Sequence, residues 1–166
     1  QLADVNPWML FSSIVFLLFL SAFFSGVETA MMSLNRYRLK HLVKENDKGA
    51  IRAEKLLKRP DRLLGVILIG NNFVNILAAS LTTVLCLNLF GDSGVVIGSI
   101  VLTLIILVFA EITPKTFAAL NSEKVALPAS LILKYLQKIL RPLVLFVNFF
   151  SNFFMRLLGT KETTIN

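Results

Sequence analysis

WMLFSSIVFLLFLSAFFSGVETAMM, residues 8–32, is an apolar run that ends in Ser25, Gly26, Glu28 and Thr29. Two later runs share that character. Residues 63–87, LLGVILIGNNFVNILAASLTTVLCL, carry Gly70, Asn71, Asn72 and Asn75. Residues 95–112, VVIGSIVLTLIILVFAEI, end on Glu111 and lead into Thr113-Pro114-Lys115. Each run reaches the roughly 17–25 residues that a helix needs to cross a ~30 Å hydrocarbon core. The chain is therefore expected to be an all-α membrane protein with three transmembrane helices. Carboxylates and amides at that depth are costly, so they should face one another or a cavity.

Composition agrees. Of 166 residues, 55% are apolar and only 16% charged, against roughly 25% charged in a soluble domain. One cysteine, Cys86, excludes an internal disulfide framework and reads as a small packing residue. Trp8 sits where an interfacial indole belongs. Residues 1–8 contain no Lys or Arg, so the first run reads as a retained span rather than a signal peptide.

Charge sets the expected orientation. Residues 35–62 hold ten Lys or Arg, residues 88–94 and the N-terminal tail hold none, and the other seven follow the third run. The positive-inside rule then gives N-terminus out and C-terminus in. Residues 36–59 read as a cytoplasmic helical segment with Leu39, Leu42 and Val43 on one stripe, and Asn46-Asp47-Lys48-Gly49 as a turn within it. Its basic surplus fits anionic headgroups and lacks the aromatic partners of a nucleic-acid surface. Residues 125–158 mix apolar side chains with Lys134, Lys138, Arg141 and Arg156. They are expected to form an amphipathic juxtamembrane helix, kinked at Pro142 and lying in the inner interface; a short fourth span over residues 143–158 is the alternative. The organisation is thus a three-span domain over residues 1–124, the juxtamembrane helix, and a tail over residues 159–166.

Three polar groups carry the chemistry. Ser25 and Glu28 share a helix face, as do Asn71 and Asn75. Gly26 permits close approach of another backbone or an ion, and the helix is expected to break at Ser25-Gly26. Pro114 cannot donate to the carbonyl of Ala110, which is freed beside Glu111. Carboxylate, amide, hydroxyl and carbonyl oxygens without imidazole or thiolate suit hard cations such as Mg²⁺, Ca²⁺ or Na⁺. Plainer roles stand beside this one. Asn72 and Asn75 can glue helices together, Glu28 can pair with Arg36 or Arg38, and Glu111 can pair with Lys115 at i+4. The single histidine, His41, lies among the basic residues outside the spans. No nucleophile is paired with the carboxylates, so an intramembrane enzyme is not expected, and no Gly-rich phosphate loop opens a helix.

Phe23-Phe24-Ser25-Gly26-Val27-Glu28-Thr29-Ala30, Gly70-Asn71-Asn72-Phe73-Val74-Asn75 and Glu111-Ile112-Thr113-Pro114-Lys115 resemble the three hallmark motifs of the CorC/CNNM family of magnesium transporters. The motifs fall in order on three successive spans. The resemblance implies a homodimer in a bacterial inner membrane, with the juxtamembrane helix wrapped as a belt. It implies Mg²⁺ export driven by inward Na⁺; the alternative, since a site is not a pathway, is a membrane Mg²⁺ sensor or scaffold without transport. It points first to Ser25, Gly70, Asn71 and Glu111 as metal-site residues, then to Gly26, Glu28, Asn72 and Asn75. Family members usually continue into nucleotide-sensing CBS modules. This sequence stops at Lys161–Asn166, so those modules are expected beyond it.

Overall fold

A computed structural model describes residues 5–159, and every regular element in it is helical. Helix α1 spans Pro7–Ser33, α2 Arg36–Lys44, α3 Lys48–Leu57, α4 Pro60–Phe90 and α5 Asp92–Ile105. A π-helical segment, Ile106–Ile112, runs on into α6, Thr113–Leu120; α7 spans Ser122–Leu157. Three continuous helical stretches, Pro7–Ser33, Pro60–Phe90 and Asp92–Leu120, are long and apolar enough to cross a membrane. The expectation of a three-span, all-α membrane protein is thereby met.

Local chemistry sets the helix ends. Asn6 accepts from the Trp8 N–H at 2.9 Å, with Pro7 in the first turn of α1, where its missing N–H costs nothing. Asn35 caps α2 through the N–H groups of Tyr37 and Arg38 at 3.0 and 3.2 Å. Asn46, at φ 61°, turns the chain between α2 and α3, a left-handed conformation that Asn tolerates. Asp47 then caps α3 by accepting from the Ala50 N–H at 3.0 Å. Residues 36–59 are therefore two helices, parted at the expected turn. Gly91, at φ 75°, reverses the chain between α4 and α5.

Helix α1 is the centre of the bundle. It packs against α4, the π segment, α6 and α7. In the most apolar stretch of each span, 44% of α1 is buried, against 17% for α4 and 11% for α5–α6. The remaining faces carry exposed apolar side chains such as Phe73, Ile76, Ile100 and Phe109, as lipid-facing helices do. Gly98 of α5 leaves the space that the Cys86 sulfur of α4 fills, so the adjoining ends of these helices touch closely. The buried Cys86 is the packing residue that its position suggests.

One expectation needs correction. Helix α1 does not break at Ser25-Gly26 but continues to Ser33. A mid-helix glycine costs about 1 kcal/mol relative to alanine. Unwinding would strand backbone groups where no water can reach them, at several kcal/mol each. The irregularity falls instead in the third span, where the Thr113 N–H reaches back to the Val108 carbonyl, five residues earlier. This wide turn immediately precedes Pro114, which cannot continue the α-helical ladder. Helix α7 is one continuous helix that contains both Pro128 and Pro142. Its buried stripe of Ala126, Ala129, Ser130 and Leu133 lies against α3 and α4, and its C-terminal half exposes Phe146, Phe149, Phe153 and Phe154. Residues 160–166, the rest of the expected tail, lie outside the described residues.

Candidate functional site

The polar residues of the three spans meet along one face of α1. Ser25 is fully buried and donates from Oγ to Glu111 Oε2 at 3.1 Å. Glu111 stands in the π segment, a feature that recurs at functional sites because it re-aims side chains. Lys115, one turn on, places Nζ 3.4 Å from the same Oε2. The carboxylate is thus shared between a buried hydroxyl and an ammonium that is 44% exposed.

One turn earlier on α1, Ser21 is also fully buried. Its Oγ lies 2.6 Å from Asn75 Oδ1 and 3.2 Å from Asn71 Oδ1. The two serines are four residues apart, roughly 6 Å along the axis. The two clusters therefore form one polar seam, with α4 on one side and the π segment on the other. Sequence reasoning missed Ser21. The available signal was its i−4 spacing from Ser25, which puts both hydroxyls on one face of α1.

The other expected residues divide. Gly70 makes room for an aromatic ring: a Cβ there would fall 2.6 Å from Phe24 Cζ. Gly26 faces the backbone of α6, where an added Cβ would lie 3.5 Å from the Pro114 carbonyl oxygen, an ordinary contact. Glu28 is half-buried and outside the seam, and makes no ion pair with Arg36 or Arg38; Arg38 pairs instead with Glu123 at 3.0 Å. Asn72 points away from α1 and is exposed on the surface of α4. The seam thus unites Ser25, Asn71, Asn75 and Glu111 with Ser21, while Gly26 and Gly70 shape its walls.

Among the described residues no three His, Cys, Asp or Glu side chains converge. A cation in the seam would be held by one carboxylate and by neutral oxygens. That set suits a hard ion and offers nothing to a soft one. In the arrangement seen, the Lys115 ammonium already balances the Glu111 charge, so a bound cation would have to displace it.

The family profile described as the cyclin M transmembrane N-terminal domain matches residues 13–166. An Escherichia coli relative, the UPF0053 inner membrane protein YfjD, is 52% identical over 146 residues, covering 88% of this chain and 34% of that protein. A UPF0053 protein of Haemophilus influenzae is 50% identical over 152 residues, covering 92% of this chain and 36% of the relative. A more distant H. influenzae relative, 28% identical over 158 residues and covering 87% of this chain and 37% of its own length, carries the name polyamine export protein. The chain thus spans about a third of the length of these relatives. The ordered motifs on three spans, the profile match and these identities together make this chain a member of the CorC/CNNM family of membrane domains.

Proposed function

We propose that this domain binds Mg²⁺ in the seam between α1, α4 and the π segment, and exports it in exchange for Na⁺ by alternating access. The observation that carries the reading is the meeting of Ser25 with Glu111, one turn from Ser21, Asn71 and Asn75. Ser21 has one hydroxyl proton for two amide oxygens, and a cation would satisfy the surplus oxygen. The π turn supplies an irregular backbone beside the carboxylate. Local repacking there would let Glu111 turn from Lys115 to a cation. Mg²⁺ dehydrates reluctantly, so the seam must close tightly around it. The domain works as a homodimer in a bacterial inner membrane. Asn72 supports that assembly, because its amide is exposed on a spanning helix, where a second copy would supply a polar partner.

Reconstituted liposomes containing a Mg²⁺ dye and given a Na⁺ gradient provide the test. Glu111→Gln and Asn71→Ala should abolish Na⁺-dependent Mg²⁺ flux and calorimetric Mg²⁺ binding while the protein remains folded. Wild-type Mg²⁺ binding in both variants would overturn the site. Binding without flux in the wild type would favour a Mg²⁺ sensor over a transporter. A second reading takes an organic polyammonium ion as cargo. It is favoured by the Lys115 ammonium, 3.4 Å from Glu111, because the carboxylate already receives a primary amine. Competition between Mg²⁺ and spermidine in the same liposomes separates the two cargoes.

A further inference from the structure

A second polar feature lies away from the seam, between α3 and α7. Lys48, Arg52 and Lys55 recur at i, i+4 and i+7 along one face of α3. Lys134 of α7 faces them across a pocket of about 400 Å³. No carboxylate lines it. The nearby acids are engaged elsewhere: Asp47 caps α3 at Ala50, and Glu123 pairs with Arg38. Glu54, the remaining acid of α3, is about 100° round the helix from this stripe. Four cations converge here without a countercharge.

The pocket is also preorganised. Ser130 of α7 is fully buried and donates to the Leu127 carbonyl at 2.5 Å. It accepts from Arg52 Nε at 3.2 Å. That bond fixes the guanidinium stem and leaves the two terminal nitrogens without a partner among the described residues. A held guanidinium with an open fork suits bidentate recognition of phosphate. Close packing holds the two helices at this spacing: an added Cβ at Gly49 would lie 3.1 Å from both the Leu127 Cβ and its carbonyl oxygen.

Position and wall chemistry identify the source of the phosphate. Three spans place α2, α3, the start of α4 and the start of α7 on one side of the membrane. Helix α3 ends at Leu57, just before α4 begins at Pro60, so the pocket stands at the headgroup level. Ile51 and Leu56 form an apolar wall. Farther along the Lys134 face of α7, at i+11, Leu145 is exposed. A free phosphate would have no use for those apolar surfaces; a phospholipid would lay its glycerol and acyl chains along them. Basic pockets at this level are suited to anionic headgroups.

We propose that the α3–α7 pocket binds the phosphate of an anionic phospholipid from the leaflet on the basic side, through Arg52 with Lys48, Lys55 and Lys134. The site is separate from the cation seam and does not depend on the cargo. Native mass spectrometry of the delipidated protein, titrated with phosphatidylglycerol, phosphatidylcholine or inorganic phosphate, tests it. The wild type should retain phosphatidylglycerol in preference to phosphatidylcholine. Arg52→Gln/Lys55→Gln/Lys134→Gln should lower that retention about a hundredfold, at roughly a factor of five per basic residue. Lys40→Gln/Lys44→Gln/Lys124→Gln removes the same charge elsewhere and should bind as the wild type does. Arg52→Lys should keep partial retention and a folded protein. Unchanged retention in the pocket triple variant, or equal loss in the control triple variant, would overturn the proposal. Displacement of the lipid by inorganic phosphate at matching concentrations would overturn the lipid assignment in favour of a soluble anion.

Discussion

Replacing Gly70 by alanine tests whether this glycine serves packing or a cation. The new Cβ would fall 2.6, 2.8 and 3.1 Å from Cζ, Cε1 and Cε2 of Phe24. Carbon atoms prefer about 3.5–4.0 Å, so the ring must retreat by roughly 1 Å. Phe24 is only 7% exposed and already packs edge-on against Phe23, with ring centroids 5.6 Å apart. Overpacking of this kind costs about 1–3 kcal/mol. A chain of this size loses about 2–4 °C of melting temperature per kcal/mol. Thermal unfolding in detergent should show that fall. Phe24 also adjoins Ser25, so displacement of the ring should weaken Mg²⁺ binding measured by calorimetry. The double variant Gly70→Ala/Phe24→Leu removes the ring atoms that collide and should regain both stability and binding, because alanine keeps the backbone carbonyl. An unaltered melting temperature in Gly70→Ala, or failure of Phe24→Leu to relieve it, would refute the steric role.

Lys115→Met should raise Mg²⁺ affinity, because the ammonium no longer competes for Glu111; lower calorimetric affinity would instead make Lys115 a support for the site. Ser21→Ala should cost roughly 0.6 kcal/mol of stability, the average for a hydrogen bond between membrane helices, yet weaken cation binding more strongly than that loss implies. Asp47→Ala should cost about 1 kcal/mol through loss of the α3 cap, read as earlier unfolding of the α2–α3 segment by hydrogen exchange. With Cys86 replaced by alanine, a membrane-impermeant maleimide added outside intact cells should label Ser93→Cys and spare Lys44→Cys. The opposite pattern would reverse the orientation drawn from the loop charges.

The three spans were legible because lipid leaves a chain few choices. Apolar runs of sufficient length must be helical, so residues 8–32, 63–87 and 95–112 announced themselves without any knowledge of contacts. The turn at Asn46 was readable for a similar reason, since its chemistry is local, whereas the caps at Asn35 and Asp47 came from the structure. The amides and carboxylates could be singled out by type, but not sorted by role. Face and depth within a bundle depend on helix rotation. Rotation turned Asn71 and Asn75 towards Ser21, left Asn72 on the surface, and kept Glu28 out of the seam. A break at Ser25-Gly26 was a fair inference from composition, yet the helix stayed whole because the bilayer offers freed backbone groups no water. The π turn answered Pro114 instead.

What the sequence determined by itself was a three-span helical domain, its basic side and a set of hard oxygen donors, because solvent preference and donor chemistry belong to single residues. What only the tertiary structure decided was the partnership: Ser25 with Glu111 across 86 residues, and Ser21 with Asn71 and Asn75 across 50 and 54. The same holds for Arg52, anchored by Ser130 over a pocket that neither helix forms alone. Such contacts arise from how helices rotate and pack, and no local pattern encodes them.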